Sequence, residues 1–178
     1  MNLSEIYKFA QRVLGCYAKF VSFEKKEFDT EEDTFLYECK NGYLSIYGNT
    51  ESALTQGLGH YLLHIAKVNI LWCDFPVRIK DSLTDCPVQK KSVAQKYRVY
   101  LNYCTFNYTA SWWDFERWER EIDMMALYGI NMTLCIVGIE AVWYETLLRF
   151  GFTDAEARTF LCGPAFLAWQ LMSNIESV

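Results

Sequence analysis

The sequence predicts an α/β chain in two parts, a small α+β domain followed by sequential βα units. Three observations carry that prediction. An Asn41-Gly42 turn sits between two β-prone runs and is followed by a helical pattern, which marks a strand-and-helix layer early in the chain. From Arg98 the order runs strand, loop, helix, strand, loop, helix, helix, and consecutive βα units imply a parallel sheet with right-handed crossovers. Composition also changes between the parts: all ten lysines precede Tyr97, whereas five of the six tryptophans follow it.

Each element has its own signal. Ile6, Phe9, Ala10, Val13 and Leu14 fall at helical spacing, with Ser4 as the expected N-cap and Gly15 where the helix should stop. Residues 20–28 alternate as a strand, and residues 34–39 and 43–47 form the two arms of the hairpin. Thr50 or Ser52 opens a helix expected to run to Val68, with Leu54, Leu58, Tyr61, Leu62 and Ile65 on one face. Residues 70–72 and 77–79 read as two short strands around Pro76. Pro87 and the lysine-rich run from Val88 to Lys96 read as a linker, so the expected domains are residues 1–92 and 93–178.

In the second part, residues 98–103 alternate as a strand and residues 107–111 form a polar loop. Ser111 with Asp114 suggests a capping box for a helix whose apolar face is Phe115, Trp118, Ile122 and Met125. Glu116–Arg120 and Arg117–Glu121 are i,i+4 pairs on that helix, and Gly129 ends it. Residues 130–137 are nearly all apolar, the pattern of a strand buried on both faces. Gly138 ends that run, residues 140–150 resume as helix, Thr153 and Glu156 form a second capping box, and a last helix covers residues 165–172.

Composition narrows the function classes. A hydrophobic fraction of 52% supports a real core, and no apolar run reaches the roughly 18 residues of a membrane span. The start of the chain is amphipathic and interrupted by charge, so it does not read as a signal peptide. The net charge of −5 belongs entirely to residues 97–178, which argues against nucleic acid as a partner. The seven cysteines include no CxxC pair and read as buried single thiols. His60 and His64 stand at i and i+4, but Tyr61 occupies the place where a zinc protease needs glutamate, and no third ligand is evident; the metal reading is rejected.

Acid–base glycoside chemistry needs two carboxylates from different elements. Glu140, just past a strand end, is the best candidate, yet its partner is not evident, and a carboxylate favoured by a helix amino end is the simpler account. Glu119, Glu121 and Asp123 lie on the amphipathic helix with ion-pair partners and serve packing. Asn102, Cys104 and Tyr108 come at the end of the first strand of the second part, where side chains face a crevice mouth; they suit a polar ligand or, equally, a satisfied loop. The Asn107 and Asn131 sequons read as chance matches.

Several motifs recur in order: N-x-C-T-x-x-Y at Asn102–Tyr108, WWD-x-x-RWEREID from Trp112, GIN at Gly129–Asn131, GxEAxW at Gly138–Trp143 and GPAFLAW at Gly163–Trp169. Together they resemble the α-N-acetylglucosaminidases, glycoside hydrolase family 89. Residues 1–96 resemble that family's small N-terminal α/β domain less specifically, through Gly57-Leu58 and Tyr61-Leu62. The resemblance implies a (β/α)8 barrel that removes terminal α-linked N-acetylglucosamine with retention, without metal or cofactor, in a secreted, periplasmic or lysosomal setting. It assigns Asn102, Cys104, Tyr108 and Trp169 to the sugar subsite, and Glu121 and Glu140 to structural or near-site support. A barrel needs about 250 residues, so the chain is expected to hold only the first two βα units, with the catalytic glutamates past Val178 and no activity alone. Residues 170–174, QLMSN, lack both glycines of the family's Gly-x-Met-Gly-Asn-type run, which puts the loop beside Trp169 in question. A non-catalytic carbohydrate-binding or interaction module is the alternative, and an exposed barrel edge would favour self-association.

Overall fold

The computed structural model describes residues 3–71, 75–134, 138–161, 163, 169 and 172. The chain divides into two compact units, one of Met1–Val99 with Arg117–Met132, the other of Tyr100–Glu116 with Thr133–Val178.

The first unit begins with α1 (Leu3–Leu14), which buries Ile6, Phe9, Ala10, Val13 and Leu14 along one stripe. Each large apolar side chain so buried contributes about 2 kcal/mol. Ser4 lies inside this helix and donates to Glu5, so it is not the N-cap expected from sequence. Gly15 takes φ +55° where α1 gives way to a 3₁₀ segment, Gly15–Phe20.

Strands β1 (Val21–Lys25), β2 (Asp33–Lys40), β3 (Tyr43–Gly48) and β4 (Cys86–Val93) form one sheet in the order β1-β3-β2-β4. β1 pairs with β3 in parallel; β2 pairs with β3 and β4 antiparallel. Lys40 and Tyr43 face each other across Asn41 (φ +52°) and Gly42 (φ +74°), two successive left-handed residues that match the twist of a tight hairpin. The Asp85 carboxylate accepts from the N–H groups of both turn residues at 3.0 and 2.8 Å. Val21, Phe23, Phe35, Tyr37, Cys39, Leu44 and Ile46 point inward at alternate positions, under α1 and α2 (Glu51–His64).

Helix α2 starts at Thr50, whose hydroxyl accepts from Ala53 N–H at 3.0 Å. It ends at His64, short of the expected Val68, because Lys67 adopts φ +54° and the Ile65 and Ala66 N–H groups both turn back to the Tyr61 carbonyl. Residues 70–71 and 77–79 are not strands: Ile70 and Val77 are buried in irregular backbone, and Val77 N–H bonds the Val13 carbonyl at 2.7 Å. Trp72 lies outside the described residues. Residues 88–93, expected as a linker, are instead most of β4. Backbone pairing with β2 holds this edge strand, not apolar burial, and its lysines are the charged side chains that discourage further strand addition.

Helix α4 (Phe115–Leu127) completes the first unit from Arg117 onward. It buries Glu121, Asp123, Met124, Met125 and Leu127, while Ile122 is exposed, so the buried face is rotated from the one expected from sequence. The rotation follows from its contacts. Arg12 of α1 holds Asp123 through two 2.7 Å hydrogen bonds, and Gly59 of α2 lies so close to Leu127 that a Cβ there would stand 1.9 Å from the Leu127 carbonyl oxygen. Gly129 ends α4 at φ +74°.

In the second unit, α3 (Tyr103–Asn107) occupies part of the expected strand of residues 98–103. β5 (Val99–Tyr100) and β6 (Met132–Thr133), each two residues long, pair in a small two-stranded sheet. Met132 and Thr133 are exposed, unlike a strand buried on both faces, and residues 135–137 of that expected strand lie outside the described residues. Ser111 stands four residues before α4 and donates to the Phe106 carbonyl at 3.1 Å, so it does not form the expected capping box. Helix α5 (Ile139–Arg149) follows Gly138 at φ +80°, and α6 (Asp154–Phe160) carries the Thr153–Glu156 capping box with both of its bonds. Most of the expected helix over residues 165–172 lies outside the described residues.

Candidate functional site

Asn102, Cys104 and Tyr108, expected just after a strand, fall instead on and around α3. Asn102 is its N-cap: Oδ1 accepts from the Thr105 N–H and hydroxyl, both at 3.1 Å. The exposed Asn102 amide nitrogen makes no hydrogen bond with another described residue. Cys104, half-buried, is a free thiol within the helix. Tyr108 closes α3, its N–H bonding the Thr105 carbonyl, and its ring is 65% exposed. Trp169 meets that ring edge-on, with centroids 5.4 Å apart.

The structure thus joins Tyr108 to Trp169 and places Asn102 at the opposite end of a helix about 7.5 Å long. Two aromatic rings inclined at 72° offer a face and an edge, and a capping amide one helix length away offers a donor. That set can recognise a ring with one apolar face and polar substituents.

Among the described residues, the carboxylates singled out from the sequence do not face one another as an acid–base pair. Glu140 sits in the first turn of α5, where the helix amino end favours its charge, and it makes no hydrogen bond or ion pair with another described residue. Glu121 is buried and bonded to Arg117 at 2.9 Å. Asp123 is buried on Arg12, and burial holds its carboxyl above the ordinary carboxylate range despite that guanidinium.

His60 and His64 are 4.3 Å apart between ring centroids. His60 Nδ1 is bonded to the Tyr37 hydroxyl at 2.8 Å, and burial pushes its pKa down to about 4. No cluster of three metal-ligating side chains occurs among the described residues. No helix among them is long and apolar enough to cross a membrane.

Sequence reasoning passed over Arg98. It donates to the Asp33 carboxylate, to Ser52 at 2.7 Å and to the carbonyls of Gln95 and Gly129. A cavity of about 250 Å³ beside it is lined by Glu31, Glu32, Asp33, Val93, Ala94 and Lys96. Its place as the first arginine after the last lysine, Lys96, was the available signal, since a fork of five donors suits several acceptors at once.

Comparison with known proteins accounts for nearly all of the chain. Residues 4–85 match the Alpha-N-acetylglucosaminidase (NAGLU) N-terminal domain, and residues 98–178 match the Alpha-N-acetylglucosaminidase (NAGLU) tim-barrel domain. The human Alpha-N-acetylglucosaminidase is 41% identical over 133 residues, covering 74% of this chain and 18% of that protein. A Family 89 Glycoside Hydrolase from Clostridium perfringens in complex with PUGNAc superposes with a TM-score of 0.89 at 30% identity, over 98% of this chain and 20% of its own. A doubly glutamate-to-glutamine-substituted form from the same organism, in complex with its substrate GlcNAc-alpha-1,4-galactose, superposes with a TM-score of 0.88. The chain therefore spans about a fifth of the length of these relatives. With both parts matched in order to the two domains of one family, the chain belongs to the α-N-acetylglucosaminidases, glycoside hydrolase family 89.

Proposed function

We propose that these residues form the N-terminal α+β domain and the first two βα units of a (β/α)8 glycosidase that removes terminal α-linked N-acetylglucosamine from glycans with retention. We put the division between the two domains at residues 92 and 93, at the last residue of β4. In this reading Tyr108 and Trp169 hold the sugar ring, the Asn102 amide bonds one of its polar substituents, and the Cys104 thiol borders the same subsite. The observation that carries the reading is the ordered match of both parts to one family, together with the 98% coverage by a Family 89 structure.

The catalytic pair is supplied from outside these residues. The support is local: Glu140 stands in a helix amino end and makes no hydrogen bond or ion pair with another described residue. Incubating the 178-residue chain with an aryl α-N-acetylglucosaminide tests this directly. No release of the aryl alcohol is expected. Turnover that disappears in Glu140→Gln would place the acid–base pair within this chain and overturn the proposal.

A carbohydrate-binding module remains the second reading, favoured by the exposed Tyr108 ring against Trp169. Titration with N-acetylglucosamine, read by tryptophan fluorescence, decides whether the subsite functions without the rest of a barrel. Exposed apolar side chains such as Val142, Trp143, Phe150 and Phe160 also support self-association, which light scattering would reveal as a mass above 20.9 kDa.

A further inference from the structure

Cys39 and Cys86 are direct register partners on the neighbouring antiparallel strands β2 and β4. Both are free, and both are buried, so their side chains share the inner face of the sheet. Direct partners in an antiparallel pair have Cα atoms about 4.5–5.5 Å apart, inside the roughly 4.4–6.8 Å that a disulfide bridges. The pairing shifts register between Tyr37 and Cys39, so the ladder is irregular beside this pair. The Cys39 thiol donates to Asp85 at 3.8 Å and accepts from the Tyr61 hydroxyl at 3.9 Å. The Cys39 thiol therefore lies among polar groups in an otherwise apolar layer.

We propose that Cys39 and Cys86 form a cross-strand disulfide, an oxidisable staple between β2 and β4, when the protein meets a small-molecule disulfide of the glutathione class. Cys86 reacts first, because β4 is an edge strand whose residues 87, 88 and 90–92 are exposed, and local fraying of that edge uncovers it. Its thiolate attacks one sulfur of oxidised glutathione, forming a mixed disulfide and expelling one glutathione thiolate. As β4 re-pairs, the Cys39 thiolate attacks the Cys86 sulfur and expels the second glutathione. The two protein thiols lose two electrons and two protons. The glutathione disulfide gains the electrons and takes up the two protons, through solvent, to leave as two thiols. Burial raises both thiols above their ordinary range, Cys39 to about 11, so the staple closes slowly and only through fraying.

The test is a non-reducing peptide map of the folded chain after incubation in oxidised glutathione. A linked pair of peptides containing Cys39 and Cys86, lighter by two hydrogens than the separate thiol peptides, is expected. The linked protein encloses a loop of roughly 50 residues, and its unfolding equilibrium constant should fall on the order of a thousandfold. Cys86→Ser should abolish both the link and the difference in urea midpoint between oxidised and reduced protein. Three outcomes would overturn the proposal: persistent glutathione adducts at Cys39 or Cys86, two thiols that remain unmodified while Cys16 reacts, or a link from either to a third cysteine. The map needs no variant, so it stands even where Cys86→Ser fails to fold.

Discussion

The Arg12–Asp123 pair fastens α4 to α1, and its two ends are unequally buried. The Asp123 side chain is 4% exposed and the Arg12 side chain 37%. Breaking a buried pair from one side costs about 3–5 kcal/mol, because the remaining charge is left without a partner. Solvent reaching Arg12 screens part of that, so we expect Arg12→Met, which keeps much of the aliphatic stem, to cost about 2 kcal/mol. The reverse change should be milder. Asp123→Asn removes the charge that burial penalises and still offers Arg12 an acceptor oxygen, so its cost should stay below about 1 kcal/mol. The pH dependence has a definite sign. Burial raises the folded Asp123 carboxyl above its unfolded value of 3.8, so its contribution is largest while protonated and is lost as pH rises through the folded pKa. Arg12→Met removes the group that lowers this pKa and should extend the loss to higher pH, whereas Asp123→Asn should abolish it. Urea unfolding of the wild type, both single variants and the double variant at several pH values tests the whole argument. Equal costs for the two single changes, or additivity within about 0.3 kcal/mol, would refute it.

Other consequences are as easily checked. Gly59→Ala forces a Cβ into the Leu127 backbone rather than a movable side chain, and should cost about 3 kcal/mol or prevent folding, read by the unfolding midpoint and soluble yield. His60 is held neutral by burial, its pKa depressed from 6.5 to about 4, so stability should be intact above pH 6.5 and decline as pH falls toward 4; NMR titration of the His60 ring should show no midpoint near 6.5. Thr153→Ala removes the hydroxyl that caps the Glu156 N–H, leaving only the Thr153 N–H bond to the Glu156 carboxylate, and should cost about 1 kcal/mol if α6 unfolds with the rest; hydrogen exchange over residues 154–160 would localise the effect. Gly42→Ala places a side chain at φ +74° in the β2–β3 turn and should cost about 1 kcal/mol by the same unfolding assay.

Much of the first unit was legible because local signals there agreed with the tertiary answer. The Asn41-Gly42 turn, the α1 stripe and the Thr50 cap each fix a backbone choice within a few residues. β4 was not legible, since its lysines read as linker and its strand character comes from ladder bonds to β2, forty and more residues earlier. The α4 face was misjudged for a related reason. Glu121 and Asp123 are polar by composition yet buried, because Arg117 and Arg12 supply partners, and the Arg12 partnership has no trace in helical periodicity. At the candidate site, residue types pointed to Asn102, Cys104 and Tyr108, but the strand expected through Tyr103 concealed that Asn102 caps a short helix. The nearness of Tyr108 and Trp169, sixty-one residues apart in sequence, required the fold.

The first unit is assembled from two separate stretches of chain, with residues 100–116 looped out between them. On the ribosome its sheet and first two helices can emerge and begin to collapse well before α4 exists. Until residue 132 leaves the exit tunnel, the narrow slot at Gly59 has no Leu127 to fill it, and Arg12 has no Asp123. Domains synthesised at about 5–20 residues per second would hold this open state for seconds. The nascent chain therefore carries an open face on α1 and α2 whose closure waits on translation, and a pause before residue 132 emerges would lengthen its exposure to chaperones and to neighbouring chains.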